Sequence, residues 1–264
     1  MGKTTKPKGR LYIAGTPIAW VAVYGALVGV TSLVPILPYA GGGGYWPLAT
    51  PLAGIGTLIL GPVGGIVAAL VGGIIGMFIA PGAFPLGIVD ATLVVMFPAV
   101  FVALALNMGS KKYKWIFVAW QVLMTVIFFV ALYLYPGVVG GWPPISTESY
   151  FVSTLYFWLL PLIVLLSPLG TKYIHNWARS SDAKQRTIGV FLGSWMAMNG
   201  WYISPSYWVY WILFAFPSPL LYLMSWGIYS WYMPLFAVLI TVITVPLAEA
   251  LRRSGMAKPP DVIW

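Results

Sequence analysis

The sequence predicts an all-α, polytopic membrane helical bundle with about eight transmembrane segments and both termini cytoplasmic, and three observations predict it. Of its 264 residues 60% are hydrophobic and only 7% charged, with a mean hydropathy of +0.90, whereas roughly a quarter of a soluble domain is charged. All 14 Lys and Arg fall into short clusters: Lys3/Lys6/Lys8/Arg10, Lys111/Lys112/Lys114, Lys172/Arg179/Lys184/Arg186 and Arg252/Arg253/Lys258. Between the clusters lie apolar runs of about 20 residues, the length that crosses a hydrocarbon core of roughly 30 Å.

The charge pattern sets the order of the elements. A net charge of +9 would suggest nucleic acid in a soluble chain. Here, Lys and Arg mark the cytoplasmic flanks of membrane spans, so no nucleic-acid partner is expected. The predicted localisation is the plasma membrane, with residues 1–16 and 252–264 as cytoplasmic tails. If every cluster is cytoplasmic, an even number of crossings separates each consecutive pair. The first interval holds Pro17–Leu37, a long run Pro47–Ala80, and Leu86–Leu106. Gly61-Pro62 is a strong helix breaker, and splitting the long run there into Pro47–Leu60 and Pro62–Ala80 restores parity. The first piece reaches only about 21 Å at 1.5 Å per residue, so it either crosses in the shelter of neighbouring protein or re-enters. Trp115–Tyr135 and Tyr150–Leu169 fill the second interval, and Thr187–Ile203 and Tyr229–Leu251 follow the third cluster. The remaining apolar piece, 207–226, carries Pro217 and Pro219, and parity places it outside as an aromatic cap or re-entrant segment.

Several chemistries are excluded by composition. With no cysteine there is no disulfide, thiolate nucleophile or iron–sulfur ligation. The single histidine, His175, lies in a basic cluster, so neither bis-histidine haem ligation nor a Ser–His dyad at membrane depth can be built. The longest polar stretch, 170–186, is too short for a nucleotide-binding domain, and no phosphate loop ending in Lys-Ser or Lys-Thr is present. No metal site or cofactor is expected, and no enzyme activity.

Candidate binding residues come from the exceptions. An ionisable group at membrane depth is costly and marks function by default, and only Asp90 qualifies, because Glu249, one turn from Arg252 and Arg253, reads as a surface ion pair. Between Trp195 and Tyr232 there are fourteen aromatic residues, interleaved with Pro205, Pro217 and Pro219. Such faces can hold a flat or cationic small molecule by stacking, although aromatic belts at membrane interfaces account for many. The first span carries Ala22 and Ala26, then Gly25 and Gly29, at four-residue spacing, which lets helices approach closely within the chain or against another subunit.

The run GPVGGIVAALVGGIIGMF at 61–78 follows a short span and precedes a Gly-containing turn. The run TIGVFLGSWMAMNGWYISPSYW at 187–208 carries Asn199, Pro205 and Tyr207. Together with Ala22-x-x-x-Ala26 and the basic end of the closing helix, these blocks resemble the substrate-binding S-component of energy-coupling factor vitamin transporters, in particular the riboflavin-type members. The resemblance covers about 140 residues. It implies a six-helix core plus a surplus pair, 115–169, in this longer chain. It also implies capture of a vitamin-like substrate, such as riboflavin or thiamine, with Trp46, Asp90, Asn199, Trp201, Tyr202 and Tyr207 as ligand contacts. Ala22 and Ala26 would face a transmembrane coupling protein that works with two ATPase subunits. The competing expectation is a structural or assembly subunit of a larger membrane complex, with no ligand of its own.

Overall fold

The computed structural model describes residues 11–39, 42–138, 155–202 and 219–264. The chain is mostly helical, with two small hairpins that an all-α reading did not include. Strands β1 (Tyr12–Ile13) and β2 (Thr16–Pro17) pair ahead of helix α1 (Ile18–Thr31). Strands β3 (Pro35–Pro38) and β4 (Tyr45–Pro47) pair between α1 and α2 (Ala49–Ile59). The sequence then runs through α3 (Pro62–Ile79), α4 (Ile88–Leu106) and α5 (Lys111–Val138). A bent pair follows, α6 (Tyr156–Leu166) and α7 (Leu169–Ala178), and the chain closes with α8 (Ala183–Trp201) and α9 (Pro219–Arg253).

The break predicted at Gly61-Pro62 separates α2 from α3. Gly61 sits at φ +83° and Pro62 opens the next helix, a position where the missing proline N–H has no intrahelical role. All eleven residues of α2 are buried, which explains how so short a helix survives: it is wrapped by protein and presents no face to lipid. Helix α3 packs on it at Gly65, where a Cβ would lie 2.3 Å from the Thr57 amide nitrogen, and on α1 at Gly72, where a Cβ would lie 2.8 Å from the Gly25 carbonyl oxygen. The glycines of the first and third predicted spans therefore serve contacts within the chain, the close-approach route to helix association in lipid.

Three helices are long and apolar enough to cross a membrane: Pro62–Ile79, Ile88–Leu106 and Gly227–Arg253, or four if the pair α6–α7, bent by 68°, is one broken span. The described residues thus hold three or four candidate spans, against the eight expected of the whole chain. Helices α1 and α2, at 14 and 11 residues, fall short because the apolar runs that suggested them include hairpin residues, Pro35–Pro38 and Tyr45–Pro47. The longest polar stretch, 170–186, is helical as far as Ala178 and again from Ala183, with the α6–α7 bend at Ser167-Pro168. The 207–226 segment is also redrawn. Its first part, 207–218, lies outside the described residues, whereas Pro219 begins α9 instead of breaking it, and 219–226 is continuous with the closing helix.

One end of the bundle collects the charged sequence. Tyr113 at the start of α5 donates to Asp261, Arg179 after α7 donates to the Leu106 carbonyl at the end of α4, and Arg252 donates to the carbonyl oxygens of Arg179 and Ser180. The C-terminal residues are no free tail. Val262, Ile263 and Trp264 are buried; the Ile263 N–H reaches the Leu58 carbonyl at 3.2 Å and the Trp264 indole reaches that of Ile59 at 2.9 Å. Likewise Thr16, in the segment read as the N-terminal tail, is 1% exposed and its hydroxyl donates to the Leu60 carbonyl. Apolar side chains and donors near the last turn of α2 satisfy carbonyls that a helix end leaves open, so these segments fold back onto the bundle.

Close approach at Gly65 predicts that Gly65→Val lowers stability by about 1–3 kcal/mol or more, since backbone atoms of α2 cannot yield as a side chain would. Gly227→Ala, with no heavy atom within 4 Å of the new Cβ, should be neutral or stabilising by about 0.5–1 kcal/mol. Thermal unfolding of both variants in detergent checks the pair; a Gly65→Val protein as stable as the parent would refute the α2–α3 contact.

Candidate functional site

Trp46 stands at the end of the β3–β4 hairpin opposite the charged end, and its side chain is only 2% exposed. Four rings meet it edge to face: Tyr39 at 5.1 Å, Trp201 at 5.3 Å, Tyr229 at 5.7 Å and Phe236 at 5.9 Å between centroids. Tyr229 links this set to Tyr202 at 4.8 Å, and Tyr202 in turn meets Phe157 at 4.8 Å. Each such pair contributes about 0.5–1.5 kcal/mol beyond its buried area, so the cluster is a rigid wall joining the hairpin, α6, α8 and α9. The hairpin is tied to the α3–α4 turn through the Tyr39 hydroxyl, which donates to the Ala83 carbonyl at 2.8 Å, and through the Tyr45 N–H on Gly82 at 3.2 Å.

The position of Trp201 follows from a proline in another helix. The first part of α4 winds as a π-helix over Ala91–Met96, and the Phe97 N–H goes to the Thr92 carbonyl. Leu93 would next be paired by residue 98, but Pro98 has no N–H. The Trp201 indole fills the gap, donating to the Leu93 carbonyl at 2.7 Å. The same logic places α6 against α9, because Pro234 leaves the Ser230 carbonyl open and the Tyr156 hydroxyl donates to it at 3.0 Å.

Among the residues predicted from sequence, Trp46, Trp201 and Tyr202 are brought together. Asn199 is one turn before Tyr202 on α8 and shares its face. It is fully buried, and neither its amide nitrogen nor its amide oxygen has a hydrogen-bond partner among the described residues. The Trp46 indole N–H and the Thr50 hydroxyl are in the same condition. Asp90 is also fully buried, and its carboxylate accepts from the Leu86 N–H at 2.6 Å. Its charge reaches the hairpin: burial first, and Asp90 second, push the Tyr39 phenol well above its ordinary value. Tyr207 lies outside the described residues. Ala22 and Ala26 are not part of the cluster; they are exposed on α1, whereas Gly25 and Gly29 of the same helix are buried.

Sequence reasoning missed Tyr39, Phe157 and Phe236 as members and counted Tyr229 only as one aromatic among many. Tyr229, Met233, Phe236 and Ile240 form a buried stripe at three- and four-residue spacing, a pattern legible in the sequence. The role of Phe157 has no local signal. What the arrangement can do is plain from its parts. Aromatic edges and faces, an amide offering both donors and an acceptor, and an indole donor suit a flat molecule with a polar rim.

An unpaired buried amide costs about 1–3 kcal/mol, so Asn199→Leu should stabilise the ligand-free protein by that order. Trp201→Phe should do the reverse by a similar amount, since it strands the Leu93 carbonyl. Thermal melts of the two variants check the opposed signs, and destabilisation by both would mean that the Asn199 amide is paired.

Comparison of the chain with protein-family models, with curated proteins and with solved structures finds no match, so function has to be argued from the residues themselves.

Proposed function

We propose that the protein is the membrane-embedded substrate-binding subunit of a small-molecule uptake transporter, of the S-component kind that its sequence resembles, with its charged end facing the cytoplasm. The observation that carries the reading is the Trp46 cluster with the unpaired Asn199 amide beside it. Elsewhere the fold finds donors for stranded carbonyls across long sequence separations. A fully buried amide left without partners is expected where a ligand completes it. Trp46, Trp201 and Tyr202 would stack on the substrate, Asn199 would read its polar edge, and Tyr207 and Asp90 would complete the contacts, Asp90 as the polar anchor. A vitamin-like molecule such as riboflavin or thiamine fits this chemistry.

The outward face of α1 supports the partner half of the proposal. Ala22 and Ala26 are exposed there together with Val23, Leu27 and Val30, a flat apolar strip on which a coupling protein could pack closely. Energy would come from two ATPase subunits carried by that partner, since this chain has no nucleotide-binding loop.

Titration of purified protein with a panel of water-soluble vitamins should give saturable quenching of tryptophan fluorescence for one of them. Asn199→Leu should weaken that binding at least about tenfold, the size of one buried hydrogen bond. A panel with no quencher would favour the assembly-subunit alternative. With the partner subunits co-expressed, Ala22→Trp should abolish uptake while leaving binding intact; unchanged uptake would remove α1 from the coupling interface.

Orientation has its own check, because the chain contains no cysteine. A thiol reagent that cannot cross the membrane should label Pro38→Cys in intact cells, and Ser254→Cys only after permeabilisation. The reverse pattern would invert the topology.

A further inference from the structure

Where α9 ends, the charged end opens into a cleft of about 520 Å³ lined by Arg179, Ser181, Arg252, Met256, Lys258 and Trp264. No residue of the proposed transport site lines it, and nothing in the uptake reading uses it. We propose that this cleft binds a phosphate group, presented either by an anionic lipid headgroup or by a soluble phosphate compound.

The electrostatics favour an anion. Around the cleft stand Arg179, Arg186, Arg252, Arg253 and Lys258 against Asp182, Glu249 and Asp261, a surplus of two positive charges. The carboxylates are engaged elsewhere. Glu249 pairs with Arg186 and Arg253, each at 2.9 Å, Asp182 caps α8 through the N–H groups of Lys184 and Gln185, and Asp261 accepts from Tyr113. Among the described residues none of Arg179, Arg252 and Lys258 has a carboxylate within ion-pair distance. Burial, and then the neighbouring charges of Arg252 and Arg179, lower the Lys258 pKa, and burial brings that of Arg179 to about 10. The Lys258 shift records crowding by like charge, the Arg179 shift records burial that Asp261 offsets only in part, and a bound anion would raise both.

The geometry favours phosphate. Arg252 is fixed by donating to the carbonyls of Ser180, Arg179 and Ile263, all at 2.9 Å. Three of its five N–H donors are thereby committed and the rest are free. Arg179 is held as firmly, by the carbonyls of Leu106, His175 and Asp261 and by the Asn107 side chain. Two guanidinium groups immobilised before any ligand arrives lose little entropy on binding, and their delocalised charge, with the one or two N–H groups each keeps beyond these bonds, favours an anionic oxygen. The Lys258 ammonium and the Ser181 hydroxyl complete a donor set of mixed reach. A phosphate carries one to two negative charges near neutral pH, which matches the surplus. Met256, 41% exposed, and the buried Trp264 supply an apolar border that a lipid glycerol could lie along.

The test uses the full chain in detergent, with native mass spectrometry and thermal shift as readouts. Phosphatidylglycerol, phosphatidylcholine and inorganic phosphate are titrated separately against the parent, Lys258→Gln and Arg252→Lys. Lys258 makes no hydrogen bond or ion pair among the described residues, so its replacement leaves the fold alone. The expected result is saturable binding of phosphatidylglycerol or inorganic phosphate, but not of phosphatidylcholine, weakened about fivefold in Lys258→Gln. Phosphatidylglycerol alone would identify a lipid headgroup, and inorganic phosphate a soluble ligand. Absence of saturable binding to both probes, equal binding of phosphatidylcholine, or affinity unchanged in both variants would overturn the proposal. Vitamin binding at the Trp46 cluster is measured in the same variants and should not move, which keeps the two sites distinguishable.

Discussion

The structure depends on one requirement: a backbone carbonyl that loses its helical N–H inside an apolar bundle must be given another donor. Water is not at hand, and an unsatisfied group there costs several kcal/mol. Prolines inside helices create the demand, and at two of them the answering donor is seen. Pro98 strands Leu93 and Pro234 strands Ser230, and the donors arrive from Trp201 and Tyr156, 108 and 74 residues away in sequence. Helix ends create it again at the charged pole, where Thr16, Ile263 and Trp264 serve the last carbonyls of α2 and Arg179 serves Leu106. These bonds set the mutual placement of α4, α6, α8 and α9, and they hold the two terminal segments against the bundle.

This requirement gives meaning to the groups that remain unpaired. The fold supplies donors to the carbonyls of Leu93 and Ser230 that prolines strand, yet it leaves the Asn199 amide and the Trp46 indole without partners among the described residues at the aromatic pole. At the opposite pole the imbalance is of charge, with Arg179, Arg252 and Lys258 lining one cleft. The two poles thus present different chemistry, one aromatic and amide, the other cationic.

Part of this was legible in the sequence. Gly61-Pro62 marked the division of the long apolar run because both residues act locally, through φ and through a missing N–H. Three of the four Lys and Arg clusters, those within the described residues, marked segments that meet at one end. Trp46, Trp201 and Tyr202 were singled out as ligand contacts, and the fold brings their side chains into one cluster. Asn199 was singled out, and its burial without partners follows from packing on every side. The span count was not legible, because hydropathy sums over apolar residues whether they wind into a helix or pair as β3 and β4. Nor was the start of α9, since Pro219 reads as a breaker unless its position as the first helical residue is known.

The sequence by itself determined the class of the protein and the local punctuation: an apolar, helix-rich chain, basic at its turns, interrupted at glycine and proline. Those properties arise from each residue and its near neighbours. Tertiary structure alone decided which carbonyls each proline would strand beyond repair, which distant tryptophan or tyrosine would answer them, and that Val262, Ile263 and Trp264 would be core and not tail. The physical reason is that a hydrogen bond or a ring contact is indifferent to separation along the chain. Its partners are chosen by the packing of whole helices, and no window of sequence contains that packing.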